Sequence, residues 1–312
     1  TIVITLIQSI GVSVGLNSLT GQNGQGAISI DMDTFIAVSA ISMLTGTMLL
    51  MWIGEQITQK GIGNGISLII FAGIVSAIPS AIGGTIDLVN NGQMNFLTVI
   101  AILVIIMATV GAIIYVELGE RRVPVSYSRK VMMQNQKKRV MNYIPIKVNL
   151  SGVIPAIFAS AILMFPATVL QGSQNKYLIM VADYLSPSSY TFNVFMFLFV
   201  VFFAFFYASI TFNAKDISEN LKKQGGFIPG VRPGASTAEF LNEVAGRLTF
   251  WGAIYMGLIS TLPWLIVKAM GVPFYFGGVA VLIVVQVAID TMRKIEAQQY
   301  TNKYQTLSAV GL

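Results

Sequence analysis

Apolar residues run through this chain in long unbroken blocks. Eight can be marked, at 2–16, 34–53, 66–85, 96–116, 150–171, 192–212, 248–267 and 272–289. Most are about 20 residues long, which at about 1.5 Å per residue crosses the ~30 Å hydrocarbon layer of a bilayer. None carries the polar face that a buried helix of a soluble protein would show at helical spacing. The pattern predicts an all-α polytopic membrane protein with eight transmembrane runs. The first run opens at Thr1 with neither Met nor a charged flank. It reads as the remainder of a longer membrane helix rather than as a signal peptide.

Two stretches break the pattern. In 118–147, Val123, Val125 and Tyr127 alternate with Pro124, Ser126 and Ser128; a polar tip follows at 133–138, and 140–146 alternates less cleanly. Period two around a polar tip predicts a protruding two-stranded finger. Pro124 and Pro145 should confine its pairing to edges. The second stretch, 213–247, predicts a helix over 213–224 with Glu219 set to pair with Lys222 or Lys223. A Gly/Pro-rich break follows at 225–234, and Ser236 with Glu239 forms a capping box that starts a second helix. Arg232, between Gly230 and Pro233, falls at the loop tip. Inside the apolar runs, Pro79, Pro155, Pro166 and Pro263 are predicted kinks. Gly61, Gly63 and Gly65 predict a tight connection ahead of the third run. The chain thus divides into helices at 1–117, a finger loop at 118–148, a helix pair at 149–212, a structured loop at 213–247, a helix pair at 248–290 and a tail at 291–312.

Composition supports the lipid setting. Charged residues make up 10% of the chain and hydrophobic ones 54%, with a mean hydropathy of +0.73. Soluble domains carry about 25% charged residues. Charge position then gives the orientation. Alternating crossings place 54–65, 118–148, 213–247 and the tail from 290 on one side, with one, eight, five and three basic residues, so seventeen of the nineteen. The other side has Lys176 and Lys268, with Asp31, Asp33, Asp87 and Asp183. The positive-inside rule makes the first side cytoplasmic, including the C-terminus. The eight cations at 118–148 exceed what orientation needs, so anionic partners such as ribosomal RNA, acidic protein faces or anionic lipid are expected there.

The chain has no Cys and no His. That removes disulfides, thiolate chemistry, the usual zinc ligand and the commonest general base. Glu117, Lys268 and Asp290 all sit at run boundaries, and no ionisable residue lies deep in a run. Ion-coupled transporters and voltage sensors place such residues at depth, so a secondary transporter with broken helices is the weaker alternative. An intramembrane hydrolase would need a buried Ser/Lys or paired Asp, and neither is present. An apolar pore constriction remains compatible. No P-loop is present, so the chain is not expected to be an enzyme or to drive transport itself.

Four blocks carry a family resemblance: KGIGNGISLIIFAGIVSAIPSAI at 60–82, PIKVNLSGVIPAIFASAILMFPAT at 145–168, NAKDISENLKKQGGFIPGVRPGASTAEFLN at 213–242 and GVPFYFGGVAVLIVVQVAID at 271–290. They resemble SecY, the bacterial protein-conducting channel subunit of the Sec translocon. The resemblance implies a bundle of two pseudo-symmetric halves around an hourglass pore. The present runs would be helices three to ten, with helices one and two and the plug segment expected outside this chain. It implies a pore ring at Ile66, Ile70, Ile157 and Ile283, and a lateral gate on 150–171 that uses Pro155, Ile157, Ala161 and Phe165. It implies contacts with the motor ATPase SecA and the ribosome at Arg121, Arg122 and Arg232. Implied partners are SecE, SecG, SecA, the ribosome, secretory precursor polypeptides and membrane lipid, in the bacterial cytoplasmic membrane; no cofactor is implied. The finger tip, MMQNQKKRVMNYIPIKVN, departs from the family's GGQST-like run.

Overall fold

The computed structural model describes residues 2–16, 30–61, 63–127, 142–171, 176–270 and 278–309. The apolar blocks are helical because only a helix satisfies every main-chain N–H and C=O within one segment in lipid. In chain order they give α1 (Ile2–Leu16), α2 (Met32–Lys60), α3 (Gly65–Ser76), α4 (Ile78–Asn90), α5 (Phe96–Glu117), α6 (Ile154–Gln171), a short α7 (Lys176–Tyr184), α8 (Tyr190–Thr211), α9 (Ala214–Lys223), α10 (Ala235–Met270) and α11 (Gly278–Ala309). Five spans among the described residues are long and apolar enough to cross a membrane: Met32–Lys60, Gly65–Asn90, Phe96–Glu117, Tyr190–Lys223 and Ala235–Lys268. The first and fifth runs appear as shorter apolar helices, Thr5–Val14 and Ile154–Ala167. The eighth run forms the start of α11, and its first residues lie outside the described ones.

The core shows how the helices meet. On α8, Phe192, Met196, Val200, Ala204 and Ala208 are buried at every fourth position. That row is one face of a helix, and α8 lies between α10 and α6. Ala253, Met256 and Ile259 of α10 and Val153, Ala156, Ala159 and Leu163 at α6 complete the cluster with Leu282 and Ile283 of α11. α6 also packs on α1, whose buried residues include Ser9 and Ser13. Ser13 hydrogen-bonds to the Ser9 carbonyl at 2.7 Å and to Ser39 of α2. Small residues let membrane helices approach closely where no hydrophobic effect drives them together.

Several expectations are corrected. The connection expected over 54–65 is mostly helix, because α2 continues to Lys60; Glu55, Gln56 and Lys60 favour helix once the apolar run ends. Pro155 does not kink its helix: α6 begins at Ile154, and a proline in the first turn lacks only an N–H that has no helical partner anyway. Pro79 does coincide with a break, α3 ending and α4 beginning around Ala77. Pro166 and Pro263 lie inside α6 and α10. The capping box is absent. Ser236 already sits inside α10, which starts at Ala235 and runs 36 residues without interruption into the seventh apolar block. The role of fixing its start passes to Thr237, whose Oγ1 donates to the Arg232 carbonyl at 2.8 Å. Glu219 takes part in none of the ion pairs found among the described residues, which are Arg122–Glu120, Lys147–Asp290 and Arg247–Glu243.

The finger is present. β1 (Glu120–Tyr127) pairs antiparallel with β2 (Asn142–Lys147), with Glu120 opposite Lys147 and Val125 opposite Asn142. The tip expected at 133–138 lies outside the described residues. A third strand, β3 (Gly226–Phe227), joins the free edge of β1 through Ser126 and Tyr127, giving the order β2-β1-β3. Val123, Val125 and Ile146 turn inward onto Ala214, Leu221, Ile228, Ala238 and Leu241. The finger base, α9 and the first turns of α10 therefore share a second small core at the basic end of the bundle.

Two polar devices tie this end together. Glu117, the last residue of α5, is 5% exposed and accepts a 2.7 Å hydrogen bond from Asn149 Nδ2, whose Oδ1 accepts from Ser151 Oγ. Lys147 of β2 pairs with Asp290 of α11 at 3.3 Å. The connection from α2 to α3 is also tight. Gly65 N donates to Thr58 Oγ1, which donates to the Gly54 carbonyl, both at 2.8 Å. A Cβ on Gly65 would lie 1.9 Å from that carbonyl oxygen.

Two stability predictions follow from these contacts. Gly65→Ala should cost about 1–3 kcal/mol by overpacking, whereas Gly83→Ala, with nothing within 4 Å of a new Cβ, should be near neutral; thermal unfolding in detergent separates them. Asn149→Leu strands the Glu117 carboxylate and should cost at least about 1–3 kcal/mol, while the double change Glu117→Leu with Asn149→Leu should recover most of that loss.

Candidate pore and docking sites

Ile70, Ile157 and Ile283 come from three helices far apart in the chain, α3, α6 and α11. Ile283 is 5% exposed within the main core cluster, and Ile70 and Ile157 are partly buried against the same cluster. Ile66 is set apart: it is 49% exposed, and its Cγ1 would lie 2.9 Å from a Cβ on Gly54 of α2. The structure thus sets three of the four isoleucines in or against one apolar cluster and turns the fourth toward the α2–α3 connection. Branched aliphatic side chains meeting at a constriction exclude water and hydrated ions, and they can part without breaking any hydrogen bond.

The gate residues are distributed along α6. Pro155 is fully buried at its first turn. Ala161 is exposed and Phe165 half-buried. Phe158, one position past Ile157, packs its ring 6.0 Å from Phe203 of α8. One side of α6 is therefore held by aromatic and aliphatic packing on α8. α6 also packs on α1, over a smaller contact than it makes with α8.

Three arginines lie on the basic lobe, all exposed. Arg121 and Arg122 follow one another on β1. Arg122 Nε sits 2.7 Å from Glu120 Oε1, and its guanidinium lies 4.9 Å over the Tyr143 ring. The Glu120 hydrogen bond, with Tyr143 beside it, raises the Arg122 pKa further above its ordinary value. Arg232 is held differently. Gly230 and Gly234 on either side have φ of 83° and 104°, a backbone region that side chains other than glycine's rarely adopt. The Arg232 carbonyl receives Thr237 Oγ1, and the Gly234 carbonyl receives Ser218 Oγ at 2.6 Å. The main chain at Arg232 is fixed from two sides, and its side chain enters none of the ion pairs among the described residues.

Glu117–Asn149–Ser151, Lys147–Asp290 and Gln286 were not singled out as site residues by the sequence pattern. The two pairings join residues 32 and 143 apart in sequence, and Gln286 stands beside Gly152, more than 100 residues away. The one available signal was chemical: polar residues at the ends of otherwise apolar runs. Among the described residues Glu117 is the charged side chain that is buried, and it lies at a helix end rather than mid-membrane. A transporter's midplane charge is not found there, and that alternative gains no support.

The family model described as SecY matches residues 1–292. The protein translocase subunit SecY of Helicobacter pylori (strain ATCC 700392 / 26695) is 69% identical over 312 residues, all of this chain and 74% of that protein. The Escherichia coli (strain K12) counterpart is 40% identical over 310 residues, 98% of this chain and 70% of that protein. Two solved channels superpose with a TM-score of 0.71. One is described as a protein conducting channel, 20% identical, with 96% of this chain and 71% of that one covered. The other is a SecY protein whose plug domain stabilises the closed state, 19% identical, with 96% and 72% covered. At that identity the superpositions establish the fold, an all-α polytopic membrane bundle. Family match, relatives and fold agree over nearly the whole chain, which belongs to the SecY family.

Proposed function

We propose that this chain is the channel subunit of a protein translocase in a bacterial cytoplasmic membrane. It passes unfolded polypeptides through the bundle and releases transmembrane segments sideways into lipid. The observation that carries this reading is the convergence of Ile70, Ile157 and Ile283 from three helices on one apolar cluster. Such a waist yields to a peptide yet resists ions. Ile66 lies one turn away on α3 and would join the ring only if α3 shifts against α2. α6, with Pro155, Ala161 and Phe165, is the moving side of a lateral gate. The weaker α1 face is where it parts, and the α8 face is where it stays anchored.

The basic lobe is the docking platform. By the positive-inside rule it lies in the cytoplasm, and the C-terminus with it. Arg121 and Arg122 on the finger and Arg232 on the adjoining loop offer cations to the ribosome and to SecA. Those partners supply the energy, so the subunit conducts rather than catalyses. SecE and SecG are the further membrane subunits expected beside it.

Two outcomes check this reading. A photoreactive residue at Ile157 or Ile283 should label a secretory precursor arrested in transit; a precursor that crosses without labelling either position removes the ring. Arg232→Glu should lower SecA-driven export by more than about tenfold, because reversing a docking charge costs ~2–5 kcal/mol, while the variant still inserts in the membrane. Export at the parent rate would take Arg232 out of the motor contact.

A further inference from the structure

A cavity of about 60 Å³ lies at the basic end of the bundle, lined among others by Asn64, Ser67, Val153, Gln286 and Asp290. Its position relative to the ring follows from helical spacing. Ser67 precedes Ile70 by three residues, Val153 precedes Ile157 by four, and Gln286 follows Ile283 by three. Residues three or four apart share a helix face, one turn of about 5.4 Å from each other. The entering ends of α3 and α6 and the leaving end of α11 all face the same side. Each gathered isoleucine therefore has a cavity-lining neighbour one turn toward the cytoplasm, so the cavity sits directly over the ring.

Gln286 is the unusual group in it. It is 7% exposed, and its Oε1 has no hydrogen-bond partner among the described residues. Its Nε2 lies 3.0 Å from where a Cβ on Gly152 would stand, a tight approach that the glycine, at φ 66°, leaves open. A buried polar atom without a partner is costly and rare in native structures. The space beside it is about four times what a single water needs. The charges at the rim do not select an ion: Lys294 opposes Asp290, and Asp290 is already engaged by Lys147. What remains is a neutral lining of carboxamides and hydroxyls. Its natural complement is another neutral group carrying one donor and one acceptor, the peptide unit.

We propose that Gln286 is a substrate-positioning residue whose carboxamide exchanges hydrogen bonds with the main chain of the polypeptide as it enters the apolar ring. This rests on the ring reading above. An extended chain approaching a dewetted waist must shed main-chain water, and a peptide group without a replacement partner there is strongly disfavoured. A carboxamide one turn before the waist supplies that partner at the step where water is lost. It is blind to side chains, as a conduit for many sequences requires.

The test uses the full-length subunit in its translocase, reconstituted in lipid vesicles, and a semisynthetic precursor carrying either a glycine run or a run of N-methylglycine, which lacks the main-chain N–H. The parent should carry the N-methylated run about two- to tenfold more slowly, the worth of one net hydrogen bond. Gln286→Leu should bring the ratio of the two rates close to one, and Gln286→Asn should keep part of the difference. The ratio within each variant cancels a general loss of active channel, and comparing that ratio between parent and variant cancels the conformational effects of N-methylation. An unchanged ratio in Gln286→Leu, or no difference in the parent, overturns the inference and leaves Gln286 a water-bound core residue. A photoreactive residue at Ile283 is followed in parallel. Labelling there with an unchanged ratio defeats only the role of Gln286, whereas no labelling defeats the ring reading itself.

Discussion

A charge placed in hydrocarbon costs several kcal/mol unless it is paired or hydrated, and that constraint orders this whole structure. It clears the interiors of the apolar runs of ionisable groups and leaves them to pack by shape. The buried row on α8 and the serine face of α1 are two outcomes: one interface is filled by large side chains, the other closes over small ones. It also pushes polar chemistry to the helix ends. There Glu117, Asn149, Lys147 and Asp290 form contacts that would be prohibitive a few turns deeper.

The same constraint explains why the basic end is a built lobe rather than a set of loops. Residues excluded from lipid still have to satisfy their own backbones. The finger does so as a two-stranded ribbon, which alone would be marginal in water. Here β3 adds a third strand and α9 and α10 cover one face. Arg121, Arg122 and Arg232 thus stand on one hydrogen-bonded, apolar-backed unit. β1 and β3 join the finger to the segment that leads to Arg232, and Lys147 with Asp290 joins it to α11. Cations on such a unit present a fixed pattern to a large anionic partner and lose less entropy on docking than cations on loose loops.

Much of this was legible in the residues. The lengths of the apolar runs gave helices, the alternation of Val123, Val125 and Tyr127 gave strands, and the distribution of Lys and Arg gave the basic end. Errors fell where local rules met longer-range packing. Ser236 and Glu239 satisfy a capping motif, yet α10 already begins at Ala235, where the Gly234 carbonyl accepts the Thr237 and Ala238 N–H groups and Thr237 Oγ1 bonds back to the Arg232 carbonyl. Pro155 resembles a kink until the helix start at Ile154 makes it a first-turn residue. β3 is only two residues long, too short for any periodicity to reveal it.

The sequence by itself determined that this chain lives in a membrane, which end is basic, and to which family it belongs. The first two follow from solvation and local hydrogen bonding, whose signatures span at most a few turns; the family follows from the resemblance of long blocks such as 145–168 and 213–242. Only the tertiary structure decided that Ile70, Ile157 and Ile283 share one apolar cluster while Ile66 stands apart, and that Gln286 is buried with an open acceptor. Those are relations between α3, α6 and α11, separated by up to two hundred residues. An isoleucine in an apolar helix looks the same to its neighbours in sequence whether it faces lipid, core or pore. Its role depends on what the opposite helix places against it.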